Sequence, residues 1–214
     1  MVTTSNNSSR TNRLLQRLSS KDGQALDELF TRHRERLRKT VHFRLDRRLR
    51  GEIRSAAVLQ DVYLEALKRY QEYLANPDQP VFLWLRQLTG ERIQALHRKH
   101  LGAQALGAGQ DIELRRGALP EVNSVSLAAQ LIGKAAANQS AVRADLLLRL
   151  QDALNSMDAS DREILSMCHF EELRDSEVAL VLGKDQTAVT IQYVRALKHL
   201  KEILKRIPGF LDSR

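Results

Sequence analysis

Cysteine is almost absent from this chain. Cys168 stands alone among 214 residues, which excludes an intramolecular disulfide framework and a cysteine-rich metal site. Aromatic residues make up only 5% and there are four prolines, a composition that favours helix over sheet. No run approaches the ~20 apolar residues that a membrane-spanning helix needs. The first twelve residues are polar and carry no apolar core, so no signal peptide is expected and the cytoplasm is the expected compartment. What the chain does have is positive charge. Its net charge is +8 and its pI is near 9.9, a balance that favours a polyanionic partner such as nucleic acid. The charge is unevenly placed: strongly positive over 1–100, neutral over 101–140, negative over 141–182 and positive again over 183–207. Two basic elements on either side of a spacer can meet one nucleic acid at two points.

The apolar pattern is helical throughout. Leu26, Leu29, Phe30, Leu37, Val41 and Leu45 fall at steps of three, four and seven, which lines one helix face. Gly51 marks a break, and Ser55 is placed to cap a second helix with Val58, Leu59, Val62, Ala66 and Tyr70 inward. Asn76-Pro77-Asp78-Gln79-Pro80 cannot continue a helix, because proline lacks a donor and biases the residue before it to extended geometry. A third helix then runs from about Val81 to Arg98. From Gly102 to Ser140 the period decays among glycine, alanine and serine, with Leu127 to Ala137 as the best short helical piece. A loop of that length argues for two units joined by a tether. The expected fold class is all-α, with two small helical domains joined by a flexible linker. The boundaries are a flexible tail over 1–20, a helical bundle over 21–100, the linker over 101–140, a helix-turn-helix domain over 141–207 and a short tail over 208–214. Ser160 and Glu163 have the spacing of a capping box at the head of a helix in the second domain.

Residues 175–195 have the spacing of a helix-turn-helix. Two helices that cross steeply need a small residue at the crossing, which Ala179 supplies. The chain must then leave the first helix, and Gly183 tolerates the left-handed backbone this requires. Val189 returns the second helix to the first, and Asp185 is positioned to cap it. The outer face of the second helix then presents Gln186, Thr187, Thr190, Gln192, Arg195 and Lys198, with Lys184 at its entrance. These donors and acceptors suit base edges and phosphates in a major groove. The bland alternative is an antiparallel helix pair with a glycine turn. The change from negative to positive charge across the turn favours the DNA-binding reading.

Here the sequence resembles a known family. Ala153-Leu154-Asn155-Ser156-Met157, Asp161-Arg162-Glu163-Ile164-Leu165, Glu177-Val178-Ala179, Leu182-Gly183, Ala188-Val189 and Val194-Arg195-Ala196-Leu197-Lys198 are similar to region 4 of the sigma-70 family, particularly its extracytoplasmic-function class. Gly23-x-Ala25-Leu26-x-x-Leu29-Phe30, Val58-Leu59-Gln60-Asp61-Val62-Tyr63-Leu64, Phe82-Leu83-Trp84-Leu85-Arg86 and Arg92 to Arg98 resemble region 2 of the same family, in family order. The resemblance implies a transcription initiation factor that binds core RNA polymerase and directs it to promoter DNA. Its C-terminal helix-turn-helix would read an upstream duplex element, and its N-terminal domain would melt and capture a downstream one. It implies polymerase contact through Gln60, Asp61 and Glu65. It implies melted-strand contact through Tyr73, Asn76, Trp84, Arg86, Arg92, His97 and Arg98, with Tyr73 available to stack on a base. An anti-sigma protein is a further candidate partner.

This sequence departs from the family pattern in three places. Thr190, Ile191 and Gln192 stand where basic residues or serine are common, Asp61 stands where glutamate is usual, and the linker is long. The dense cluster Arg44, Arg47, Arg48, Arg50 and Arg54 reads equally as a solvated face or a phosphate contact. Trp84 reads almost equally as core. His97 and His100 lie one turn apart, but no carboxylate or cysteine completes a metal set. No acidic metal cluster, nucleophile–base pair or phosphate-binding glycine loop appears, so no enzyme activity, cofactor, metal or small-molecule substrate is expected. The alternative function is a conventional helix-turn-helix regulator that binds duplex operators as a dimer.

Overall fold

In the computed structural model, residues 3–20, 22–102, 119–120, 122, 124–132 and 140–207 are described. Among them every regular element is helical: α1 (Thr3–Ser19), α2 (Gly23–Arg44), α3 (Ser55–Ala75), α4 (Val81–Leu101), α5 (Ser124–Ile132), α6 (Ser140–Asn155), α7 (Ala159–Leu165), α8 (Asp175–Leu182) and α9 (Gln186–Lys205). A short 3-10 turn, Arg47–Leu49, joins α2 to α3, and a π-turn, Ser166–Phe170, follows α7. Most of the linker and the last seven residues lie outside the described set.

The N-terminal helices pack α1 on α2, α2 on α3 and α4, and α3 on α4. The period read from the sequence explains this. The α2 face Leu26, Leu29, Phe30, His33, Leu37, Thr40, Val41 and Arg44 is buried. The Asp22 side chain accepts from the Gln24 backbone N–H at 3.0 Å to start the helix. In place of the loose tail expected over 1–20, Thr3–Ser19 is a helix with Leu14 and Leu18 buried. Two leucines four apart give a narrow apolar stripe that is easily missed in so polar a stretch. The cap of α3 is Arg54 rather than Ser55, with no side-chain bond. Pro77 ends α3 and Pro80 opens α4.

Helix α4 is enclosed. All six residues from Val81 to Arg86 are buried, followed by Leu88, Thr89, Gly90, Ile93, Leu96 and His97. A helix buried all round its axis needs neighbours on every side. One neighbour is the linker, since a Cβ on Gly90 would lie 2.8 Å from the Leu119 side chain.

In the C-terminal part α6, α7 and α8 each pack on α9, around Leu150, Leu154, Ile164, Leu165, Val178, Val189, Ala196 and Leu200. The capping box expected at Ser160 is not formed. The cap of α7 is Asp158, without a side-chain bond, because Glu163 instead bonds the Val122 N–H and Arg44, at 2.9 and 2.8 Å.

Candidate nucleic-acid interface

The helix-turn-helix forms as its spacing requires. Gly183 leaves α8 at φ 62° and ψ 35°, the left-handed region. The Asp185 side chain accepts from the Ala188 N–H at 2.8 Å and caps α9. Ala179 and Val189 are buried at the crossing. Lys184, Gln186, Thr187, Thr190, Arg195 and Lys198 are exposed, and Gln192 is half-exposed. Their hydrogen bonds stay within the C-terminal part. Lys184 donates to Gln192 Oε1 at 2.7 Å, Thr190 to the Gln186 carbonyl at 3.0 Å, and Arg195 to Asp161 at 3.0 Å. The Arg195 side chain nonetheless keeps 64% of its surface exposed. Leu197 is partly exposed, as are Ile191 and Val194.

The residues assigned to melted-strand contact are not brought together on one exposed face. Asn76 and Arg98 are exposed. Tyr73 is buried, stacked on Trp84 with ring centroids 4.7 Å apart, and its hydroxyl donates to the Gln79 carbonyl at 2.9 Å. Its ring face is therefore taken by Trp84, and a base cannot stack on it in this conformation. Trp84 is core, as its alternative reading had it. His97 is buried and its Nε2 accepts from the Asp46 N–H at 3.0 Å. Arg86 is buried against Glu171. Arg92 reaches α3 and pairs with Asp61 at 2.6 Å.

That pair joins the residues assigned to polymerase contact. Asp61, Glu65 and Lys68 of α3 and Glu91 and Arg92 of α4 line a groove of about 350 Å³, floored by Val62 and Leu88. Gln60 lies on the exposed side of α3, as do Leu64 and Leu67, large apolar side chains that solvent would not select.

The arginine cluster divides. Arg47 and Arg54 are exposed, Arg48 pairs with Asp46 at 3.0 Å, and Arg50 bonds the Leu45 carbonyl and Ser126. Arg44 is buried and enters a network the sequence reading missed. Its guanidinium holds Glu171 at 2.6 Å and Glu163 at 2.8 Å, and donates to the Pro120 carbonyl at 2.9 Å. Glu171, with no exposed surface, also takes Arg86 at 3.1 Å and the hydroxyls of Thr40 and Ser166 at 3.0 Å each. Burial alone would raise its pKa, but Arg44 and Arg86 overcome it and hold the carboxyl at about 2. Alongside, Arg36 pairs with Glu177 at 2.6 Å, Lys39 pairs with Glu172, and Phe43 meets Phe170 with centroids 5.3 Å apart. One signal could have pointed here: the negative block over 141–182 is complementary to the positive block over 1–100.

Cys168 is half-buried, and burial followed by the nearby Asp175 charge pushes its thiol up to about 11, against a reactive thiolate. Among the described residues no helix is long and apolar enough to cross a membrane.

The geometry thus defines a helical protein with a C-terminal helix-turn-helix whose second helix is open on its polar face. Residues 147–200 match the family "Sigma-70, region 4". A probable RNA polymerase sigma factor, RfaY, of Xanthomonas campestris pv. campestris is 30% identical over 160 residues, 73% of this chain. The chain spans 37% of that relative's length. The fold is shared with CnrH, solved in complex with the cytosolic domain of CnrY. The TM-score is 0.53 at 19% identity, covering 92% of this chain and 97% of that one. Residues 147–200 are thus similar to region 4 of the sigma-70 family, and most of the chain is similar to a probable sigma factor.

Proposed function

We propose that this chain is a transcription initiation factor of the extracytoplasmic-function class, which binds core RNA polymerase and brings it to promoter DNA without catalysis of its own. The observation that carries this reading is the open polar face of α9 behind a correctly turned and capped helix-turn-helix, inside the segment that matches region 4. In this reading 21–100 and 141–207 act as separate units, and 101–140 spans them.

Helix α9 enters the major groove of the upstream element. Gln186, Thr187, Thr190 and Gln192 supply hydrogen bonds to base edges, and Lys184, Arg195 and Lys198 supply charge for phosphates. Polymerase docks on α3 around Gln60, Asp61 and Glu65, where the exposed Leu64 and Leu67 add apolar area and Arg92 fixes the Asp61 carboxylate. The downstream element is taken by the loop after α3 and by α4, with Asn76, Arg92 and Arg98 as its accessible members; Arg86 joins them once Glu171 releases it. An anti-sigma partner is consistent with the likeness to CnrH, which was solved with the cytosolic domain of CnrY.

Run-off transcription with core polymerase tests the reading. The chain should confer promoter-dependent initiation, and Asp61→Arg should abolish co-purification with core polymerase. Tight, dimeric binding to duplex DNA with no effect on core polymerase would favour the operator-binding regulator instead.

A further inference from the structure

The open face of α9 is apolar along its centre. The helix buries Val189, Ala196, Leu200 and Ile203. At about 3.6 residues per turn, the line farthest from them runs Thr187, Ile191, Val194 and Lys198, at steps of four, three and four. Ile191 is 65% exposed and Val194 43%. Ile191 also lies in the stretch where this sequence departs from the basic or serine pattern of the family it resembles. The polar residues beside that line already have partners. Gln192 accepts from Lys184 at 2.7 Å, and its amide reaches the Ser160 carbonyl at 3.5 Å. Thr190 donates to the Gln186 carbonyl at 3.0 Å. The middle of the outward face is left to two side chains that have neither donor nor acceptor.

An α-helix with its side chains is ~10–12 Å across and the major groove is ~12 Å wide. A helix seated there sets its outward centre on the base edges and its flanks on the walls. In a helix-turn-helix the first turns of the second helix reach the bases, and Ile191 and Val194 lie in the first half of α9. One group on the floor of the major groove is apolar, the 5-methyl of thymine. Val194 follows Ile191 by ~4.5 Å along the helix axis, near the ~3.4 Å between base pairs, so the two meet neighbouring pairs. The other occupant such a face could take is an apolar surface of a protein, and two observations disfavour it. From Gln186 to Lys201 α9 carries Arg195, Lys198 and Lys201 and no acidic residue, the charge that suits phosphates on either side. One isoleucine and one valine also offer far less than the ~800 Å² that each partner buries in a standard protein interface.

We propose that Ile191 and Val194 determine sequence specificity by packing on the 5-methyl groups of two thymines in neighbouring base pairs of the upstream duplex. This inference rests on the proposed function of α9 and adds the chemical feature of the DNA that the helix reads. A cytosine offers only hydrogen at that ring position, with a polar amino group beside it. Two apolar side chains discriminate against it, because they would bury the amino group without a partner.

Holoenzyme assembled from core polymerase and the full chain is used to select tight-binding sequences from a pool of random duplexes. Each thymine of the recovered element is then replaced in turn by deoxyuridine, which lacks only the 5-methyl group. Two neighbouring positions should lose about fourfold in affinity each, the factor that burying one methylene-sized group gives. Ile191→Ala should abolish the thymine–uracil difference at one of them and Val194→Ala at the other, a coupling that a merely structural role would not produce. Tolerance of uracil at every position overturns the inference, as does a methyl preference that survives in both variants. Survival of the preference together with loss of core polymerase would mark the face as a protein docking surface, which overturns it too. Should either variant lose its helical circular dichroism, the uracil series on the wild-type chain decides. The two claims fail differently. A chain that selects no sequence with core polymerase removes the proposed function and the inference together. One that selects an element indifferent to uracil leaves the function standing and removes the methyl contact.

Discussion

Arg44 and Arg195 are both arginines held by an acid of the C-terminal part, and they behave as opposites. Arg44 is 3% exposed and bonded to two glutamates and a carbonyl. Arg195 touches Asp161 at 3.0 Å with most of its surface in solvent. The difference extends to the helices around them. α4 is buried along most of its length against α2, α3 and the linker, so Arg86 is structural in this conformation, whereas α9 packs on one side only and leaves its polar face open. Under the proposed function, which has nucleic acid met at two places, one contact is ready-made and the other is covered.

The comparison is broken most severely by removing a buried charge. Arg44→Ala leaves Glu171 and Glu163 without their main counter-ion and should cost about 3–5 kcal/mol in urea unfolding. A loss under about 1 kcal/mol would mean that the network is solvated. The next effect belongs to pH. His33 is buried beside Phe82, and burial, then Arg36 and Arg32, lower its pKa from 6.5 to about 4. A depressed pKa means stability that is complete above 6.5 and lost as pH falls toward 4, by about 3 kcal/mol for the whole shift. Glu171 acts in a lower window, its contribution fading from 4.5 toward about 2. Urea midpoints for His33→Gln should therefore fall less steeply than those of the wild type between pH 7 and 4. Parallel slopes would reassign the acid sensitivity to the carboxylates.

On the open side the effects shrink. Gly183→Ala places a Cβ at φ 62°, which should cost about 1–2 kcal/mol and weaken duplex binding with it, since the turn sets the angle of α9. Arg195→Ala should leave the unfolding midpoint unchanged and reduce the salt dependence of duplex binding by the holoenzyme by about one counter-ion. A shifted midpoint would show that Asp161 relies on Arg195 for more than a surface contact.

Some of this was legible in the residues. The spacing Ala179, Gly183, Val189 with Asp185 as cap depends on neighbours within one or two helical turns, and the turn forms with each residue in the role its chemistry suggests. The breaks at Pro77 and Pro80 and the inner faces of α2 and α3 are likewise local consequences of sterics and period. Ser160–Glu163 shows the limit of such reasoning. The motif is present, but Arg44, 119 residues away, competes for the same carboxylate and wins.

Sequence alone therefore determined the helical class, the order of the helices from α2 to α4 and the helix-turn-helix, because these follow from contacts a few residues apart. Tertiary structure decided which charges are open. Tyr73, Trp84, Arg86 and His97 are typical of a nucleic-acid surface by residue type, and whether they meet solvent depends on what packs over α4. The partner of Arg44 lies 127 residues along the chain and that of Arg86 lies 85. No local pattern separates an arginine that will find a buried carboxylate at such a distance from one that stays in water, because its burial depends on a partner the local sequence does not name.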